Sequence, residues 1–441
     1  MKKRIWLLCL ALAAGLVLGG CAMQTVEEMY CLPKRSEAYS NLQSAIDMAM
    51  VGLEYSAPLY GDNRQTVQVA DLDGDGVEEY LVFAKGGQTE PLQLLIFRQQ
   101  EDGTYGILEV ISGSGTAFQQ VEYVQLNDRP GYEIVLGRQL SNQVMGNVSV
   151  YTFADGKARQ LLTTSYSKFL TCQLRGGSQS ELMLLKSGEA DMERGVAVIY
   201  SCKNGVLERS VEAELSVPVE HIKRITASAL HGGQRAVYVS GSADNSTIVT
   251  DVFTIQDGRF INLPMEKRVN TGVDTLRNYY VYAEDVDGDG VLELPELIAM
   301  KPLSYQHAED QQYLLRWYDL DADGQRGNKL CTFHNYTDGW YLRLDNSWAS
   351  LLTLERQDNR YTFYLWNSEY NKVTMLFSIF RLDDEQLQEQ SQQGNQFILH
   401  QSDTVTYAAK LEYGSAMYGF TEEFLMDSFR LIQPDALGQE G

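Results

Sequence analysis

Histidine, basic residues and catalytic signatures are all scarce in this chain. Five histidines (His221, His231, His307, His334 and His400) are scattered through 441 residues, and no spacing among them would hold zinc. No Gly-x-Ser-x-Gly elbow, phosphate-binding loop or dinucleotide fingerprint occurs, which removes the enzyme classes those motifs mark. Acidic residues are too many for a glycosidase-type pair to be picked out, because such a pair is defined by its separation in space. Lysine plus arginine number 36 against 59 aspartate plus glutamate, a formal charge of -23. Such a surface repels nucleic acid and attracts cations, so no nucleic-acid partner is expected.

Long apolar runs are also few. The N-terminal one follows Met1-Lys2-Lys3-Arg4, covers residues 5–20 and ends in Leu18-Gly19-Gly20-Cys21. It is shorter than the roughly 20 residues a spanning helix needs, and a basic head with a short apolar core is an export signal. Leu18-Gly19-Gly20-Cys21 resembles the bacterial lipobox. That resemblance implies removal of residues 1–20, lipidation of Cys21 and attachment to the extracytoplasmic face of the cell membrane through a diacylglyceryl thioether. Two or more acyl chains anchor stably, since each buried methylene adds about 0.8 kcal/mol. Without residues 1–20 the balance is 33 basic against 59 acidic residues, or -26. Besides Cys21, the exported chain keeps Cys31, Cys172, Cys202 and Cys331. Export permits disulfides. Cys172 with Cys202 is the pair with an architectural argument, and free buried thiols are the equal alternative.

Long helical segments are missing between residues 65 and 344, which disfavours a βαβ fold. Short β runs punctuated by Gly and Asp stand there instead. The segments opening at Glu79, Glu133, Glu181, Ala236 and Glu293 align at steps of 54, 48, 55 and 57 residues. Each unit has a first strand (66–70, 121–125, 169–173, 224–228, 279–284), a polar loop, the aligned second strand and a third run (92–98, 147–153, 195–201, 247–255, 313–320). In the first four units a tight turn follows: Asp102-Gly103, Asp155-Gly156, Asn204-Gly205 and Asp257-Gly258. Those dipeptides suit the left-handed backbone of a short hairpin. Four strands at a period near 50 mark the blades of a β-propeller, because one four-stranded sheet cannot bury both its faces alone. The expected fold class is therefore all-β: a propeller with five legible repeats, an N-terminal helical segment and a C-terminal α+β extension. The expected boundaries are a signal peptide at 1–20, a tether and helix at 21–62, repeats at 63–344 and the extension at 345–441. Strands at 350–356, 360–366, 375–380, 397–400 and 404–411 form that extension or supply a sixth and seventh blade.

Two acidic loops 214 residues apart carry the clearest chemistry. Calcium takes six to eight oxygens from a chain able to curl around it. The first loop offers Asp71, Asp73, Asp75, the Val77 carbonyl and Glu79; the second offers Asp285, Asp287, Asp289, the Val291 carbonyl and Glu293. Clustered carboxylates repel one another without a cation. A weaker third turn holds Asp319, Asp321 and Asp323, with Gly327 where a fourth carboxylate would stand. The second loop also fits an EF-hand pattern with Glu296 twelfth, but the strand-like residues before it and Pro295 after it argue against flanking helices.

The strand-Asp-x-Asp-Gly-Asp-Gly-x-x-Glu-strand units resemble the FG-GAP or VCBS repeat of integrin-like β-propellers. That resemblance implies structural calcium in the loop joining a blade's first two strands. The whole chain also resembles lipoproteins of clostridia and their relatives. The expected function is a lipid-anchored surface protein whose calcium-stabilised propeller binds a protein or glycan. A polysaccharide- or cell-wall-acting hydrolase or lyase, and a structural subunit of an envelope complex, are the alternatives. His334 and Asp338, beside Trp340, are candidates for a carbohydrate-binding surface, with blade core the competing role for the tryptophans.

Overall fold

The computed structural model describes residues 37–432 except 88, 141–145, 155, 189–193, 245–246, 267–274, 278–280, 304–310, 368–371 and 384–395. The expected signal segment, Cys21 and Cys31 lie outside the described residues. So does Asp155 of the second repeat's turn.

Helix α1 (Glu37–Ala49) comes first, where the apolar stripe of Leu42, Ile46 and Ala49 predicts it. Consecutive antiparallel sheets follow. The first contains β1 (Glu54–Tyr55), β2 (Val67–Ala70), β3 (Glu79–Lys85), β4 (Leu92–Gln99) and β5 (Tyr105–Gly113). The second contains β6 (Ala117–Val124), β7 (Glu133–Gln139), β8 (Gly146–Ala154) and β9 (Lys157–Tyr166). The third runs through β10 (Lys168–Cys172), β11 (Glu181–Ser187), β12 (Gly195–Lys203) and β13 (Val206–Glu214). The fourth holds β14 (Ile222–Ala229), β15 (Arg235–Ser242), β16 (Ile248–Gln256) and β17 (Arg259–Asn262). The fifth is built from β18 (Leu294–Ala299), β19 (Tyr313–Leu320), β20 (Arg326–Asn335) and β21 (Trp340–Asp345).

In the first four units second and third strands are buried on both faces over most of their length, whereas fourth strands such as β9 and β13 carry many exposed positions. Their apolar runs are therefore nearly continuous, and the fourth strand is the hardest to read. The turn chemistry holds as well. Asn204 and Asp257 have φ of 53° and 50°, each followed by a glycine at 76° or 75°.

Five apolar cores lie between consecutive sheets. Phe83 of the first meets Phe118 of the second edge-on, with centroids 5.1 Å apart. Further cores join second to third, third to fourth and fourth to fifth. The free face of the first sheet (Val82, Ala84, Leu95, Phe97) is covered by Leu42, Ala45 and Ile46 of α1. This is all-β architecture made of repeated four-stranded sheets. Among the described residues no apolar core joins the last sheet to the first, so ring closure belongs to the proposal below.

The fifth unit and the C-terminal segment depart from the regular repeat. In the fifth unit the anticipated first strand is reduced, among the described residues, to one bridge between Glu284 and Glu293. The C-terminal strands form one further sheet, β22 (Leu352–Gln357), β23 (Arg360–Asn367), β24 (Lys372–Leu382), β25 (Phe397–Gln401) and β26 (Thr406–Leu411), with β26 between β24 and β25. It shares a core with the fifth sheet through Phe333, Trp340, Phe363 and Phe377. Helix α2 (Glu422–Ser428), capped by the Thr421 hydroxyl, then leads β27 (Phe429–Leu431) back onto β21 of the fifth sheet.

Cys172 and Cys202 are free thiols on β10 and β12, with β11 between them. Cys172 packs in the core toward the fourth sheet and Cys202 against the core toward the second. They face opposite sides of one sheet, which no disulfide can span. Peptide mapping of non-reduced protein is expected to return Cys172 and Cys202 as separate alkylated peptides; a linked pair would contradict the register of this sheet.

Candidate metal centres and an adjoining cavity

The loops joining first to second strands share a device built around a buried glutamate. In each case Oε2 accepts the amide of the residue seven positions earlier. Glu79 takes Leu72 at 2.8 Å, Glu133 takes Leu126 at 2.8 Å, Glu181 takes Leu174 at 2.9 Å and Glu293 takes Val286 at 2.9 Å. All four glutamates are 0–5% exposed. The fourth unit has no such glutamate, and there the Leu230 amide donates to the Gln234 carbonyl instead. The leucine at the second loop position is itself buried in the first four units. This latch was not anticipated. Its signal was the alignment of Glu79, Glu133, Glu181 and Glu293 at the head of the second strand.

The two acidic loops are conformational copies. Asp71 accepts from the Gly74 and Gly76 amides at 2.7 and 3.0 Å, and Asp285 accepts from Gly288 and Gly290 at the same distances. Asp75 and Asp289 accept from the Val77 and Val291 amides. Gly76 and Gly290 both have φ of 84°, as the sixth position requires. Asp71, Asp73 and Glu79 offer oxygens within 4.8 Å of one another, and so do Asp285, Asp287 and Asp289. Oxygens across a calcium ion are about 5 Å apart, so both triplets fit a metal. Asp75 is not part of the first triplet and Glu293 is not part of the second. No EF-hand forms, because β18 follows the second loop directly and Glu296 pairs with Arg316 and Arg326 at 3.3 and 3.4 Å.

The loops differ in the protein cation they meet. Arg98 of β4 contacts Asp73 at 2.6 Å, Asp75 at 3.5 Å and the free oxygen of Glu79. Burial raises the Glu79 carboxyl, against the Leu72 amide and Arg98. In the second loop Lys329 of β20 reaches Asp289 at 2.8 Å and Asp287 at 3.3 Å, and touches Asp319 at 3.3 Å. The Glu293 Oε1 atom is buried and, among the described residues, has no hydrogen-bond partner. Burial pushes the Glu293 carboxyl up to about 7, and Asp287 and Asp289 add to the rise.

The third acidic turn does not gather its carboxylates. Asp319 is buried against His231 (2.9 Å) and Lys329, Asp321 accepts the Gln325 amide at 2.7 Å to close its own turn, and Asp323 is exposed. Gly327 faces Asp319 across the ladder, and a Cβ there would lie 2.2 Å from its Oδ1. The glycine makes room for a buried carboxylate already paired with Lys329.

Beside the second loop is a cavity of about 420 Å³ between the fourth and fifth units. Arg224, Glu284, His334, Tyr336, Tyr341 and Arg430 line it together with Asp285. His334 stacks on Tyr341, centroids 4.8 Å apart, and neither of its ring nitrogens has a hydrogen-bond partner. Burial pushes the His334 imidazole down to about 3. The expected neighbours of His334 are elsewhere. Trp340 is fully buried core, and Asp338 is held by Asn335 at 2.8 Å and Arg381 at 3.5 Å.

Fold and loops together define a class: an all-β protein of consecutive antiparallel sheets with acidic, metal-competent loops at two first-to-second strand junctions. No family model and no curated protein matches the chain. Among solved structures it is similar to the exotype rhamnogalacturonan lyase YesX, with 13% identity and a TM-score of 0.29, over 74% of this chain and 65% of that one. It is similar to rhamnogalacturonan lyase YesW at 12% identity and 0.29, over 74% of each chain. A Bacillus licheniformis rhamnogalacturonan lyase gives 13% and 0.28, over 73% and 72%. At these TM-scores no argument about function is drawn from them.

Two outcomes follow from the side chains described. Glu133 also accepts from Thr152 at 2.9 Å and from Asn127, so Glu133→Ala strands three buried donors and is expected to cost about 3 kcal/mol in denaturant unfolding. A loss below about 0.5 kcal/mol would contradict the latch. For His334, the unfolded chain takes up a proton near 6.5 that the native imidazole refuses down to about 3. Native stability therefore falls as pH drops through that window. His334→Phe should make the acid loss shallower in melts between those limits, and an unchanged slope would count against a neutral buried imidazole.

Proposed function

We propose that the protein is a lipid-anchored envelope protein of the extracytoplasmic face, a propeller of FG-GAP/VCBS type stiffened by calcium and used as a rigid binding surface for a protein or glycan. The observation that carries this is Glu293 Oε1, a buried carboxylate oxygen without a partner among the described residues, close enough to Asp287 and Asp289 of the aspartate cluster to feel their charge. A divalent cation is the group such an oxygen lacks. Asp285, Asp287, Asp289, Glu293 and the Val291 carbonyl would hold the ion, which supplies the charge that lets four carboxylates ionise together. At the first loop Asp71, Asp73, Asp75, Glu79 and the Val77 carbonyl are the ligands, and calcium there competes with Arg98. Sites in extracellular modules are weak, around 10⁻⁴–10⁻³ M, which suits a mechanical role. The lipobox-like Leu18-Gly19-Gly20-Cys21 supports the anchor, and the absence of a catalytic signature supports binding over turnover.

Calcium at a hundredfold excess over Kd should add about 2–3 kcal/mol to wild-type stability. Asp287→Ala is expected to remove most of that gain in thermal melts, and Asp73→Ala a smaller part, because Arg98 already neutralises the first loop. A wild-type melt indifferent to calcium and chelator would remove the ion from the reading. Pull-down from native envelope followed by a glycan array tests the binding role, and turnover of a polysaccharide would replace it with catalysis.

A further inference from the structure

The cavity beside the second acidic loop is built from two kinds of group. Arg224 and Arg430 are exposed guanidinium groups on its wall, from β14 and β27. Tyr341, Tyr336 and His334 form an aromatic series, His334 lying 4.8 Å from Tyr341 and 5.4 Å from Tyr336. Two acidic groups share the wall with the arginines. Asp285 is engaged by the Gly288, Asp289 and Gly290 amides of its own loop. Glu284 is half-buried, with its backbone tied to Glu293 in the bridge that opens the fifth unit. In a chain of net charge -23, two arginines facing one cavity favour an anion there. A guanidinium matches a carboxylate in two parallel hydrogen bonds.

The aromatic faces narrow the ligand further. A sugar ring presents C–H faces to aromatic rings and hydroxyls to its edges. His334, stacked on Tyr341 with both ring nitrogens closed to solvent, backs the aromatic wall, and Glu284 is a polar group on the same wall. The volume, about 420 Å³, lies within the roughly 300–1,000 Å³ of ligand pockets.

We infer that this cavity binds a carboxylate-bearing sugar, a uronic acid residue of an acidic glycan, with Arg224 and Arg430 taking the carboxylate and Tyr336 and Tyr341 the ring. The inference narrows the binding-module reading above and rests on it.

Calorimetric titration of the full chain in detergent with glucuronic and galacturonic acid tests it, against glucose, galactose, benzoate and inorganic phosphate. The uronic acids are expected to bind and the four controls to bind at least about tenfold more weakly. Arg430→Gln and Arg224→Gln should each weaken uronate binding about tenfold or more, without changing the melting temperature, because both side chains are exposed. No uronate binding by wild type, equal binding of glucose or galactose, tighter binding of benzoate or phosphate, or uronate affinity unchanged in both variants would overturn it. A protein partner or neutral glycan retained on the pull-down and array, with no uronate binding, sinks this inference and leaves the binding-module reading standing. Silence in all of them sinks both.

Discussion

A buried carboxylate bonded to an amide seven residues behind it organises four of the five repeats. The bond from Glu79, Glu133, Glu181 or Glu293 closes the polar loop at the point where the second strand begins. It satisfies a backbone donor that no strand can reach, beside leucines that plug the intersheet core in the first three of these loops. Such a bond is worth about 1.5–3 kcal/mol when the acceptor is ionised. It obliges the protein to find something for the other carboxylate oxygen. The repeats differ mainly in how they answer that demand.

In the first two units the answer comes from the third strand, 19 residues after the glutamate: Arg98 for Glu79 and Thr152 for Glu133. The third unit uses Arg175 from within the loop, 3.1 Å from Glu181. The fifth has none, since Lys329 bonds the aspartates and Asp319 but not Glu293. One scaffold thus yields a glutamate met by a guanidinium beside clustered aspartates, two satisfied without such aspartates, and one whose outer oxygen meets no partner among the described residues. The two acidic loops therefore differ electrostatically although their sequences are almost the same.

What was legible in the sequence is what depends on near neighbours. Alternation, Asn-Gly and Asp-Gly turns, the glycine at the sixth loop position and the α1 stripe all act within a few residues, and each appears where expected. Contacts set by register were not legible. Nothing in the sequence says that Arg98 rather than Gln93 faces the first loop, or that Lys329 from a fourth strand joins the second. Cys172 and Cys202 failed as a pair for the same reason: separation along the chain suited a bridge, while the sheet put them on opposite faces. Asp319, Asp321 and Asp323 failed because a three-strand junction diverted the first carboxylate to His231 and Lys329.

The place where the repeat breaks is also where the cavity opens. In the first four units the first strand pairs with the second over four or more residues, as in β2 with β3 and β14 with β15. In the fifth unit, among the described residues, that pairing shrinks to Glu284 with Glu293. Val281 and Tyr282, which would otherwise continue the strand, form cavity wall instead. The sheet recovers an extra strand at its opposite edge, where β27 docks on β21 and carries Arg430 to the same cavity. Tyr341 lines the opening, with His334 stacked behind it. A deviation from regular repetition, more than any motif within the repeat, thus sets the position of the ligand site inferred here.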